Sequence, residues 1–115
     1  MYEGMVVTTE ERAELTVVHV DGDLDVASAP QLVAVLREVL AGGDRRVVVD
    51  LARCWFVDSR GSRALALTAR DASGPSIGIV CPAENRRVRR VLELVGIDDV
   101  VEIHETLDPF LAARP

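Results

Sequence analysis

RVVVDLARCWFVDSRGSRALALTARDA, residues 46–72, carries a strand pattern and a helix pattern on either side of a short polar break. Its first part, 46–52, is an apolar run with β-branched residues, the pattern of a strand covered on both faces. The run is too short for a helix, so a central strand is the better reading. At Asp58, Ser59, Arg60 and Gly61 the apolar character stops. From 59 to 72 the pattern turns helical, with Ala64, Leu65, Thr68 and Ala72 on the buried side and SGP at 73–75 as its end.

Downstream, SIGIVCP (76–82) reads as a second interior strand. ENRRVRRVLELVG (84–96) reads as a helix that turns Val88, Val91, Leu92 and Val95 inward and Arg86, Arg87, Arg89 and Arg90 outward, with Gly96 as its stop. DVVEIHE (99–105) is a last strand and TLDPFLAAR (106–114) a closing helix. Upstream, SAPQLVAVLREVLAGG (28–43) repeats Leu32, Val35, Leu36, Val39 and Leu40 on one helical face. Ser28 and Gln31 form a capping box at its start, and Gly42 and Gly43 stop it. MVVTTEE (5–11) and ELTVVHV (14–20) suit two antiparallel strands, and DGDLDVA (21–27) leads from them into the helix.

The order ββαβαβαβα predicts an α/β fold: one domain over residues 1–115, with a mixed, mostly parallel five-stranded sheet and about four helices. A chain of 115 residues is large enough for one core. Tyr2, Trp55, Phe56 and Phe110 are its only aromatics, so the core must be built from Val, Leu, Ile and Ala. A net charge of −6 without a single lysine argues against nucleic acid and for a protein partner. The first residues lack the basic and apolar segments of a signal peptide, and no stretch is long enough to span a membrane, so the expected location is the cytoplasm.

In open α/β sheets functional groups gather where strand ends pass into helix starts, and VDSRGS occupies one of those seams. Ser59 sits at or next to the N-cap of its helix. Its hydroxyl would ordinarily cap free backbone N–H groups. The alternative is a phosphorylation site, since a helix N-terminus offers N–H donors and the positive end of the dipole. On local chemistry alone the cap is the commoner role.

Two segments bear on that choice. DGDLDVASA (21–29) resembles the Gly-Asp/Glu-Leu-Asp segment, and VVVDLARCWFVDSRG (47–61) the strand-to-Asp-Ser-x-Gly segment, of STAS domains, the family of bacterial anti-sigma factor antagonists. The inferred element order matches that family over essentially the whole chain. The resemblance implies a partner switch: an anti-sigma factor that is itself a serine kinase phosphorylates the serine after the motif Asp, here Ser59, and a serine phosphatase reverses it. The unphosphorylated form binds the anti-sigma factor and frees the sigma factor. By the same resemblance Asp23, Asp25, Asp58, Ser59, Arg60, Gly61 and Ser62 form the partner-binding surface, with Asp58 positioning the serine and Gly61 letting the helix start approach the partner. Arg60 stands where a small residue is common, Ser62 replaces a usual Leu and Arg63 a usual small residue, which makes that helix surface more polar. Ser62 is a second, lesser candidate acceptor.

Other groups have plainer expectations. Trp55 and Phe56 are expected to pack under the loop, with partner anchoring as the alternative. Arg86, Arg87, Arg89 and Arg90 read as a solvated helix face, with docking of an acidic partner surface as the alternative. Cys54 and Cys81 stand in no C-x-x-C pair and near no histidine, so two buried thiols are expected and no metal site; a regulatory disulfide between them is the alternative.

No enzyme is expected. His19 and His104 fall in strands, and no G-x-S-x-G elbow surrounds Ser59. A phospho-aspartate receiver would need a lysine beside its acyl phosphate. No P-loop or G-x-G-x-x-G is present, and no cofactor is expected. The competing function is a non-switching STAS subunit of a transporter or stress-signalling complex, in which Ser59 is only a cap; a weak homodimer is a further partner left open.

Overall fold

A computed structural model of the chain describes residues 4–42, 45–72 and 77–112. The elements follow the expected order: β1 (Met5–Arg12), β2 (Leu15–Leu24), α1 (Ala29–Ala41), β3 (Arg46–Val57), α2 (Ser59–Asp71), β4 (Ile77–Val80), α3 (Arg86–Leu94), a 3-10 turn at Ile97–Asp99, β5 (Glu102–His104) and α4 (Asp108–Ala112). The strands lie side by side in chain order. β1 and β2 are antiparallel; β2, β3, β4 and β5 run parallel. The expected roles of Gly43, of 73–75 and of 113–114 in ending or extending helices lie outside the described residues.

The apolar spacing of each helix decides which face it buries. Leu32 and Leu36 of α1, Leu65, Ala66 and Ala69 of α2, and Val88 and Leu92 of α3 join Val18, Val20, Val47, Val49 and Ile79 in one core. α2 packs between α1 and α3 on that face. The strands' alternation sends Leu15, Val17, Val48 and Val80 to the opposite face, where Phe110 of α4 covers them. Phe110 is thus the one deeply buried aromatic among the described residues, edge-on to His104 and under the Arg46 guanidinium. Because both faces of β3 and β4 are covered, their sequences read as continuous apolar runs.

Several local expectations are corrected. β2 continues to Leu24 and β3 to Val57, so DGDL and RCWFV belong to strands; β5 has three residues instead of seven, the segment before it having wound into the 3-10 turn. Ser28 and Gln31 form no capping box. The Ser28 hydroxyl instead donates to the Asp23 carbonyl (2.7 Å) and accepts from the Asp25 N–H (3.0 Å). Gly42 does end α1, its N–H reaching the Val39 carbonyl.

β3 departs from regular alternation. Asp50 pairs with His19, Arg53 with Asp21 and Phe56 with Asp23, so β3 twice spends three residues against two of β2. These are two successive β-bulges. Leu51, Cys54 and Val57 consequently all point into the core, three residues apart, while Arg53, Trp55 and Phe56 are exposed. The two aromatics do not pack under the loop: Trp55 is 57% and Phe56 50% exposed.

Candidate functional site

The two segments singled out in the sequence meet where β2 and β3 end. The Asp58 N–H donates to the Leu24 carbonyl at 3.1 Å, holding the start of α2 against the end of β2. Gly61, one turn into α2, closes the contact: a Cβ there would lie 2.7 Å from the Leu24 carbonyl oxygen and 3.1 Å from the Asp25 nitrogen, closer than real Cβ atoms come to backbone. Gly61 is therefore required by this chain's own packing. The expectation that its missing side chain serves approach to a partner is corrected, since it is buried against Leu24 and Asp25.

Asp58, and not Ser59, is the N-cap of α2. Its extended backbone (φ −103°, ψ 173°) aims the carboxylate back at the helix, where Oδ1 accepts from the Gly61 N–H at 2.7 Å, and its carbonyl takes the Ser62 N–H at 3.0 Å. Ser59 is the first helical residue, and it is exposed. Among the described residues its hydroxyl makes no hydrogen bond. Arg60 beside it is also exposed and has no ion pair among those residues.

Ser62 points the other way. It is fully buried, and its Oγ has no hydrogen-bond partner among the described residues. The expectation that it belongs to an exposed contact surface, or serves as a second acceptor, is corrected: helical periodicity puts residue 62 on the core side together with Leu65, Ala66 and Ala69.

Across the contact, the loop after β2 is rigidly tied. The Asp25 Oδ1 accepts from the N–H groups of Ala27 (3.0 Å) and Ser28 (2.9 Å), and its carbonyl accepts from Ala29. The Ser28 N–H, helped by the Ser28 hydroxyl and the Ala27 N–H, holds the Asp25 carboxyl below the usual carboxylate range. The Asp25 carboxylate thus ties the turn that leads into α1, and no side chain caps the helix itself. Asp23 is half-buried; its N–H donates to the Gly4 carbonyl at 2.9 Å. Gly22 makes this possible, with φ +123° and the Gly4 backbone lying where a Cβ would stand.

The arrangement can present a hydroxyl with no structural duty, at a helix start, between two carboxylate-bearing loops. His19 is engaged elsewhere, its Nδ1 2.9 Å from Asp50 Oδ2 and its Nε2 2.8 Å from Glu10 Oε1, while His104 lies against Phe110. Among the described residues no three His, Cys, Asp or Glu side chains are grouped to hold a metal, and no helix is long and apolar enough to cross a membrane.

A family model described as "Mlab, STAS domain" matches residues 7–103, spanning both segments and all five strands in whole or part. The chain belongs to the STAS-domain family. Its STAS relatives include the anti-sigma-F factor antagonist RsfB of Mycobacterium tuberculosis, 28% identical over 105 residues, which are 91% of this chain and 85% of RsfB. An anti-sigma-B factor antagonist of Staphylococcus aureus is 27% identical over 88 residues, 76% of this chain and 82% of that protein. The crystal structure of an anti-sigma factor antagonist from Mycobacterium paratuberculosis superposes with a TM-score of 0.83 at 28% identity, covering 94% of this chain and 92% of that one.

Within this STAS domain the structure brings Asp25, Asp58, Ser59 and Arg60 to one seam, with Asp23 on the strand leading to it, and sends Gly61 and Ser62 inward. The two thiols behave as expected of buried cysteines: both are free, and burial pushes Cys54 up to about 11 and raises Cys81 as well. Sequence reasoning missed the outward turn of Trp55 and Phe56. Its only trace is the spacing of Leu51, Cys54 and Val57 by threes inside a strand.

Proposed function

We propose that this STAS domain is an anti-sigma factor antagonist, non-catalytic itself, that binds a kinase-type anti-sigma factor through the seam around Asp58–Arg60 and is released when that kinase phosphorylates Ser59. A serine phosphatase would reset it. One observation carries the reading: Ser59 is exposed at the first position of α2 with its hydroxyl unengaged among the described residues, Asp58 having taken over the cap. A serine retained for capping would be bonded to the helix; this one is available to a kinase. The antagonist relatives of similar length support the same assignment.

The charge arithmetic supports a switch. A phosphate on Ser59 adds nearly two negative charges beside the Asp58 carboxylate. The helix-start N–H groups that Asp58 leaves open hold such a group against an ordered backbone. Repulsion and desolvation then oppose burial in an interface, and a loss of ~2–5 kcal/mol there weakens binding by one to several orders of magnitude.

The test is titration of a kinase-type anti-sigma factor from the same organism with wild type, Ser59→Ala and Ser59→Asp. The expected result is tight binding by the first two and at least tenfold weaker binding by Ser59→Asp. Equal binding by all three would overturn the switch and favour a non-switching STAS subunit.

A further inference from the structure

The two bulges of β3 have an effect that the phosphorylation reading does not use. In a regular strand one of any two neighbours faces the core. Here Cys54 and Val57 both do, with 0% and 4% of their surface exposed, and the two residues between them, Trp55 and Phe56, are both turned to solvent. Half of the chain's four aromatic side chains are thus displayed together, at the end of the strand that runs into Asp58 and Ser59. The core, which is short of aromatics, goes without them and uses Phe110 alone among the described residues.

Exposing a Trp and a Phe forgoes apolar burial that either would supply in a core. Bulges that re-aim side chains recur beside functional sites. Trp is also the residue most enriched among interface hot spots. The surroundings of the pair indicate the chemistry of an occupant. Arg53, whose side chain is 81% exposed and only loosely paired with Asp21 at 3.9 Å, precedes it in the chain; Asp23 lies opposite Phe56, and Asp58 and Arg60, the latter without an ion pair among the described residues, follow it. An apolar centre bordered by charges of both signs fits a partner surface with an apolar pocket and a polar rim.

We infer that Trp55 and Phe56 are the apolar anchors by which the partner that reads Ser59 is held. This rests on the anti-sigma factor reading above, because the patch is continuous in the chain with the Asp58–Arg60 seam: Phe56 pairs with Asp23, Val57 with Leu24, and Asp58 bonds to the Leu24 carbonyl. Phosphorylation of Ser59 then acts at the edge of an apolar contact, weakening it by charge without touching its centre.

Trp55 is the single tryptophan, so its fluorescence reports on the patch directly. The experiment titrates the full chain with the recombinant kinase-type anti-sigma factor, following Trp emission in a partner variant without tryptophan and, in parallel, heat of binding for Trp55→Ala, Phe56→Ala and Ser59→Asp. The expected result is a blue shift of the wild-type emission on binding and at least a tenfold loss of affinity for each aromatic variant, measured well below that variant's own unfolding midpoint. Binding by wild type with no blue shift, and full affinity of both aromatic variants, would overturn the inference and leave the anti-sigma reading standing. No binding by wild type would overturn both. A blue shift that appears on concentrating the protein alone, with dimers in sedimentation, would assign the patch to a second copy of this chain and overturn it also.

Discussion

Gly61 of α2 sits directly on the Leu24 carbonyl of β2, so near that no side chain fits between them. Together with the Asp58 N–H bond to the same carbonyl, this contact fuses the two motif segments into one surface and fixes where Ser59 projects. Gly61→Ala must therefore displace the start of α2 or the end of β2. Overpacking of this kind costs about 1–3 kcal/mol, and thermal or urea unfolding should record a loss in that range along with weaker partner binding. An unchanged midpoint would show that the contact yields without strain.

Asp58 and Ser59 should separate cleanly in stability measurements. Asp58→Ala removes the bond to the Gly61 N–H and should cost about 1 kcal/mol, the usual value of an N-cap, with Asp58→Asn recovering most of it. Ser59→Ala should leave stability within about 0.5 kcal/mol of wild type, as an exposed substitution away from such features does. If Ser59→Ala destabilises as much as Asp58→Ala, the hydroxyl is a cap after all.

Ser62 carries a buried hydroxyl without a partner among the described residues, a desolvated group with nothing in return. Ser62→Ala should stabilise the domain by about 1 kcal/mol through relief of that penalty and the better helix propensity of Ala. Chemical denaturation would measure it, and a destabilised variant would mean the hydroxyl is satisfied in solution.

His19 introduces a pH dependence. Partial burial works to lower its pKa, but hydrogen bonds to Glu10 and Asp50, with their charges, outweigh this and hold the imidazole above its ordinary value. A raised folded-state pKa favours the protonated, folded form. That stability is fully present below the unfolded value of 6.5 and is lost as pH rises through the folded pKa. Unfolding midpoints should fall as pH is raised from about 6 toward 8, and His19→Gln should flatten that slope. Since the side chain is 38% exposed, solvent screens the pairs and the effect should be small.

Cys54 and Cys81 should react slowly with a thiol reagent in the native state, because the thiolate is scarce at neutral pH and the sulfurs are buried. Denaturant should expose both at once. Rapid loss of both thiols from native protein under mild oxidation, restored by a reductant in a chain that stays monomeric and gains no oxygen mass, would instead establish a disulfide between them.

The element order was legible because each helix carries its own apolar stripe and each central strand its apolar run, and these periodicities survive without tertiary context. The seam was legible for the same reason: the apolar strand run stops at Asp58 and helical spacing takes over from Ser59, although the cap itself belongs to Asp58 and not to Ser59. What escaped was decided by neighbours. Ser28 has the residue type of a cap, yet its hydroxyl turns back to the Asp23 carbonyl and the Asp25 N–H and leaves α1 without a side-chain cap. Ser62 looks polar and so exposed, but the helix phase set by Leu65 and Ala69 carries it inside. Trp55 and Phe56 look like core, and only the register against β2, which creates the bulges, turns them out.

The switch depends on the Ser59 hydroxyl, which has no hydrogen bond among the described residues, being the phosphate acceptor. Intact mass and peptide mapping of the protein purified from its native host, beside Ser59→Ala, test it most directly. The account predicts one phosphate-sized increment, mapped to Ser59 and absent from the variant, in at least one condition of growth or stress. A phosphate mapped to any other residue, or none in any condition with Ser59→Ala behaving as wild type, would contradict it.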